Sequence, residues 1–291
     1  MKKTAYLFVV MAAVLWGIIG IFSKQLSIMG FSILQIVSIR AIFSALIIMT
    51  VLLVKDRKLL RIELRDSLYF LGTGIISFTF FNWCYFIAIN KTSLSAAAIL
   101  LYTAPAFVMV FSSVLFKEEF TKRKAAALIL TFAGCFLVAA NASGAVRNIS
   151  LLGVIAGLGS GLGYALYSIF GRYALNKYHP FTVTLYTFIF ASLGLIPISN
   201  IKGMLSLLSD TKAVYYALCL SVLSTVLPFL LYTKGLSRLE AGRASIIATL
   251  EPVVATIIGI ALFGEPVTLY KITGILIVVF AVSMLVESEK L

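Results

Sequence analysis

The residues with chemical potential in this chain are few, and most stand inside apolar runs. Glu251 lies about seven residues into the run that begins at Ala244, roughly 11 Å along a helix at 1.5 Å per residue. A carboxylate that deep normally faces a cavity or a partner. It is therefore a candidate proton carrier or substrate contact. The alternative is structural, with a protonated Glu251 bonded to a carbonyl freed by Pro252 or paired with a cation. Arg40 lies equally deep in its own run. It could bind an anionic group, pair with Glu251, or snorkel to the head groups. Trp16, Asn82, Trp83, Tyr85, Tyr102, Tyr164, Tyr167 and Tyr232 combine aromatic faces with polar tips. Such groups suit amphipathic ligands, and packing is the competing reading. Pro105 and Pro252 fall in mid-run and predict helix kinks, either for gating or as fixed bends. His179 stands alone, and Cys84, Cys135 and Cys219 lie in apolar runs without ligand spacing. No metal site, cofactor or disulfide framework is expected.

The elements that must hold these residues follow from composition. Of 291 residues, 61% are hydrophobic and 12% charged, against about 25% charged in an average soluble domain. Lipid is the natural solvent for such a chain. Apolar runs near 20 residues, the length of a membrane span, fall near Ala5–Ser23, Ile33–Val54, Ser67–Ile89 and Leu94–Phe116. A shorter run follows at Ala125–Ala140, then Leu151–Phe170, Phe181–Ile198, Ala213–Tyr232, Ala244–Phe263 and Ile272–Val286. The fold class expected is all-α, an integral membrane protein with ten transmembrane helices. Met1-Lys2-Lys3 and the run behind them resemble a signal peptide. The run is long enough to span, however, and it has a counterpart in mid-chain.

The net charge of +13 could suggest nucleic acid in a soluble protein. Here the cations punctuate apolar runs, so the expected partners are anionic lipid head groups, not nucleic acid. With ten spans, 17 loop cations share the side of both termini and 6 the other side. Cytoplasmic loops carry the excess of Lys and Arg, which predicts a multi-pass protein of the plasma membrane with both termini cytoplasmic. Lys24 and Arg172 recur at helix ends as interface anchors or gate residues. Lys234, Glu240 and Arg243 read as a solvated cluster at a turn.

The chain also repeats itself at an offset of 147 residues. Tyr85 matches Tyr232, Ala97 matches Ala244, Pro105 matches Pro252, and Leu115-Phe116 matches Leu262-Phe263. Glu118, Thr121 and Lys124 match Glu265, Thr268 and Lys271. Near the start of each half, at 148, Phe22-Ser23-Lys24 resembles Phe170-Gly171-Arg172 and Trp16 faces Tyr164. Five spans per unit is an odd number, so the second copy enters the membrane from the opposite side. That makes an inverted repeat, a design suited to alternating access. Glu251 breaks the symmetry, since its mate is Ala104; so does Arg40, whose mate is Phe188. The row Gly153, Gly157, Gly161 and the segment GLGSGLG read as close helix packing.

The segments LLYTAPAFVMVFSSVLFKEEF and IATLEPVVATIIGIALFGEPV, together with VLWGIIGIFSK near the start, resemble the repeats of EamA-type transporters of the drug/metabolite transporter superfamily. The resemblance covers nearly the whole chain and implies one five-helix repeat over 1–141 and a second over 149–288. It implies a central cavity enclosed by helices 1–4 and 6–9, with helices 5 and 10 peripheral. Trp16, Asn82, Tyr102 and Tyr164 fall on cavity helices and, with Arg40 and Glu251, form the expected site. The function expected is a secondary transporter, an exporter of small organic metabolites such as amino acids, driven by protons or exchange. A sugar-phosphate or nucleotide-sugar exchanger is the alternative within transport, and a channel or receptor is the alternative outside it. No Walker motif is present for direct use of ATP. A single His and one deep Glu offer no nucleophile and base pair for an intramembrane enzyme.

Overall fold

The computed structural model describes residues 2–140 and 150–287. Arg147, Lys290 and the expected repeat edges at 141, 149 and 288 lie outside the described residues. Nine helices among the described residues are long and apolar enough to cross a membrane. They are α1 (Lys3–Ile28), α2 (Ile33–Lys55), α3 (Leu64–Lys91), α4 (Leu94–Leu115), α6 (Leu151–Leu175), α7 (Pro180–Ile198), α8 (Thr211–Leu236), α9 (Ala241–Phe263) and α10 (Leu269–Val286). The place of the expected fifth span is held by α5 (Lys122–Ala140), which opens on Lys122, Arg123 and Lys124 and is not among the nine. The helices run further than the apolar runs alone suggest, so Lys24, Lys55, Lys91 and Arg172 sit in terminal turns rather than loops.

Local chemistry explains several ends. Ser32 and Gln35 form a reciprocal capping box at the start of α2: Ser32 Oγ accepts the Gln35 amide at 3.3 Å and the Ser32 amide donates to Gln35 Oε1 at 2.9 Å. Gly30, at φ 96°, makes the turn from α1. Ser150 caps α6 by accepting the Gly153 amide at 3.1 Å.

The helices pair as the repeat requires. Helix α1 packs on α8 and α3 on α6, while α2 packs on α7, α4 on α9 and α5 on α10. Under the 147-residue offset the first two pairs exchange and the other three map onto themselves. The pairings are antiparallel. In α5 and α10, Gly134 lies against Val278 while Val138 lies against Gly274. In α1 and α8, Val9 meets Gly235 while Trp16 meets Phe229. In α3 and α6, Phe81 meets Gly163 while Lys91 meets Gly153. A two-fold axis relating the two halves produces this pattern. The glycine row of α6 is a packing face: a Cβ on Gly161 would stand 2.6 Å from Thr103 Oγ1, and one on Gly153 2.5 Å from Thr92 Cγ2.

Irregular backbone also follows the offset. Helix α3 widens into π turns at Gly72–Thr79 and α8 at Val222–Val226, and both stretches end at equivalent positions. Helices α4 and α9 are interrupted after Leu101 and Ala248, again equivalent positions. Pro105 and Pro252 therefore lie in the first turn of each resumed segment, Ala104–Leu115 and Leu250–Phe263. A first-turn residue has no helical acceptor for its amide, so proline is tolerated there. In each half a break in the helix stands just ahead of the proline. Helix α1 is interrupted at Ile18, beside Gly17, whose bare Cα admits Val254 of α9.

Candidate functional site

Trp16, Arg40, Asn82, Tyr102, Tyr164 and Glu251 line one cavity of about 410 Å³. They come from α1, α2, α3, α4, α6 and α9, so the site exists only in the assembled bundle. The cavity reaches Ser23, Lys24 and Ser27 near the end of α1 and Ile33 at the start of α2. It thus runs from mid-bundle toward the end where α1 terminates and α2 begins.

Each polar group is oriented by an irregular helix segment. The Arg40 Nε donates to Thr225 Oγ1 at 3.1 Å, and Thr225 Oγ1 donates to the Leu220 carbonyl across the π turn of α8. The guanidinium carbon lies 5.7 Å from the centre of the Phe78 ring. Asn82 Nδ2 donates to the Phe78 carbonyl at 2.7 Å, leaving its amide oxygen free to accept. Glu251 follows the break in α9 and accepts from the Tyr164 hydroxyl at a long 3.5 Å. Among the described residues Arg40 and Glu251 make no ion pair with each other. A basic and an acidic side chain thus share one cavity without direct contact.

Aromatic rings form much of the remaining wall. Trp16 packs 5.3 Å from the Phe229 ring, 5.3 Å from Tyr232 and 6.4 Å from Tyr164, and Tyr164 packs edge-on to Phe81 at 5.6 Å. Phe78, Phe81 and Phe229 line the cavity although nothing in the sequence distinguished them from other core phenylalanines. Tyr85 also lines it, whereas its mate Tyr232 is buried, with its hydroxyl 2.7 Å from Ser168 Oγ.

The other end of the bundle is closed by polar contacts. Arg172 donates to the Leu236 and Leu239 carbonyls. The carboxylate of Glu118 accepts the Ala241 amide at 2.7 Å and the Gly242 amide at 3.2 Å, capping α9. Glu240 pairs with Arg243 at 2.6 Å and with Lys124 at 2.9 Å, and Arg243 reaches the Tyr6 hydroxyl at 3.0 Å. Burial alone would raise the Glu240 carboxyl, but the Lys124 hydrogen bond and the Lys124 and Arg243 charges hold it below the ordinary carboxylate range. The expected solvated cluster is thus a tie between helices: the Lys124 side chain is only 4% exposed. Lys234 lies apart, 4.7 Å from the centre of the Phe8 ring.

Both halves of the chain, residues 3–140 and 151–287, match the model of the EamA-like transporter family. The chain belongs to the EamA-like transporter family. An uncharacterized transporter of Archaeoglobus fulgidus is 29% identical over 91% of this chain and 90% of that protein. The uncharacterized inner membrane transporter YicL of Salmonella typhimurium is 23% identical over 95% of this chain and 93% of its own length. A solved crystal structure superposes with a TM-score of 0.82 at 15% identity, covering 98% of this chain and 96% of that one, a likeness of fold. This EamA-like chain is therefore a multi-pass membrane protein and a membrane transporter.

Proposed function

We propose that this EamA-like protein is a secondary carrier at the plasma membrane that exports small organic metabolites such as amino acids by alternating access. The observation that carries the reading is the cavity of about 410 Å³ in which Arg40 and Glu251 stand without a mutual ion pair. A zwitterion bridges such charges, its carboxylate toward Arg40 and its ammonium toward Glu251. The rings of Trp16, Tyr102 and Tyr164 favour a partly apolar side chain, and Asn82 orients a polar one. A sugar phosphate would instead meet the repulsion of Glu251. The excess of cations at the closed end supports placing that end and both termini in the cytoplasm, which makes this the outward-open state. Glu251 then serves as the proton carrier, since a proton and the ammonium of the substrate compete for one carboxylate. The test is counterflow in proteoliposomes containing the purified protein, with a panel of radiolabelled amino acids and with glucose 6-phosphate. Saturable exchange of an amino acid, stimulated by a pH gradient, is expected. Exchange of the sugar phosphate alone, or non-saturable flux, overturns the reading.

A further inference from the structure

The two halves carry the same backbone turn after α4 and α9, but the carboxylate and the lysine's acidic partner differ: Lys124 pairs with Glu240 and Lys271 with Glu265. The Glu118 amide donates to the Ser112 carbonyl at 3.3 Å, and the Glu265 amide donates to that of Gly259 at 3.1 Å. Thr121 accepts the Lys124 amide and Thr268 the Lys271 amide, both at 3.3 Å. Lys124 Nζ reaches the Glu119 carbonyl and Lys271 Nζ the equivalent Pro266 carbonyl. The carboxylates then diverge. Glu118 reaches across to the first amides of α9, whereas Glu265 folds back to Lys271 at 2.8 Å and covers Gly259 of its own helix.

The unused partner of Glu265 is identifiable. Ala241 and Gly242, which Glu118 caps, correspond to Leu94 and Ser95 under the 147-residue offset. Ser93 satisfies only the Ala96 amide at that helix start, and the Leu94 and Ser95 amides make no hydrogen bond among the described residues. The paired cations repeat the pattern: Arg172 is bonded to the Leu236 and Leu239 carbonyls at the closed end, while its mate Lys24, at the open mouth, lies 4.0 Å from the centre of the Phe263 ring.

We propose that Glu118 and Glu265 are alternating latches: in the state open at the opposite end, Glu265 caps Leu94 and Ser95 while Glu118 releases α9 and folds back onto Lys124. The inference rests on the alternating-access reading above and names its gates. A charge-assisted cap at a helix N-terminus stabilises whichever end it closes. Identical turns let the halves exchange roles with little change in backbone.

Pulsed electron–electron distance measurements on the full chain, with Cys84, Cys135 and Cys219 replaced by Ala, read both ends without a substrate. One spin-label pair, at Phe120 and Ser237, spans the closed end; its symmetry mates, Val267 and Asn90, span the open one. Glu118→Gln should lengthen the first distance and shorten the second, shifting the ratio of the two states at least tenfold. Glu265→Gln should hold the present state and remove any short Val267–Asn90 component. Unchanged distances in Glu118→Gln, or the same shift in both variants, overturn the latch. If Glu118→Gln is not monodisperse and helical, Lys271→Met, which frees Glu265, carries the same expectation of a shorter Val267–Asn90 distance. Counterflow tests the carrier reading separately, so either can fail while the other stands.

Discussion

Glu251 and Arg40 were legible as anomalies, because a charge deep in an apolar run is costly unless a cavity or partner receives it. Their relation to each other was not legible. Arg40 could have snorkelled or paired with Glu251, and the deciding contact is Thr225, on a helix 185 residues away in sequence. Thr225 is one of many threonines, and its position at a π turn has no local signature. On the proposed mechanism, Glu251→Gln should abolish the stimulation of uptake by a pH gradient in proteoliposomes, with substrate counterflow remaining. Arg40→Ala should weaken binding of a carboxylate-bearing substrate at least tenfold, about 1.4 kcal/mol, by loss of one charge-assisted contact. Isothermal titration against the amino acid and its amide separates the two, since only the acid should lose affinity.

Among the elements, Pro105 and Pro252 each stand in the first turn of a helical segment that follows a break, and no local signal in the sequence marks that break. A proline in mid-run predicts a kink only if the helix continues through it. In α4 and α9 the backbone instead breaks one turn earlier, at equivalent positions in both halves. The glycines were more legible, because small residues at four-residue spacing have few uses other than close approach. Gly134 offers a clean test, being remote from the cavity. A Cβ there would stand 2.6 Å from Val278 Cγ2 and 2.9 Å from the Gly274 carbonyl. Gly134→Val should destabilise the α5–α10 pair by about 1–3 kcal/mol, as overpacking does. Thermal unfolding in detergent should show a lower midpoint with the ligand affinity of the remaining folded protein unchanged.

Over the whole molecule, the repeat predicted which helices must be equivalent, and the antiparallel pairing of α4 with α9 and α5 with α10 follows that equivalence. The proposed topology makes a simple expectation in intact cells with the native cysteines replaced by Ala. A membrane-impermeant maleimide should label Ile28→Cys at once, and Phe120→Cys only after lysis. The reverse pattern would place the closed end outside.

Composition, the spacing of apolar runs and the 147-residue repeat determined the class and the placement of most helices, because hydrophobic periodicity and internal repetition are properties of the chain itself; the family came from the resemblance of the repeat motifs and the family-model match. Residue type and depth singled out Arg40 and Glu251, and the family resemblance added Trp16, Asn82, Tyr102 and Tyr164 by helix. Only the tertiary structure decided that these six share one cavity, that Arg40 is held by Thr225, and that Glu118 reaches across to α9 while Glu265 folds back onto Lys271. A nearly symmetric sequence is compatible with either end closed. The choice is made by long-range contacts between halves, each a small energy at a distance in sequence that no local pattern records.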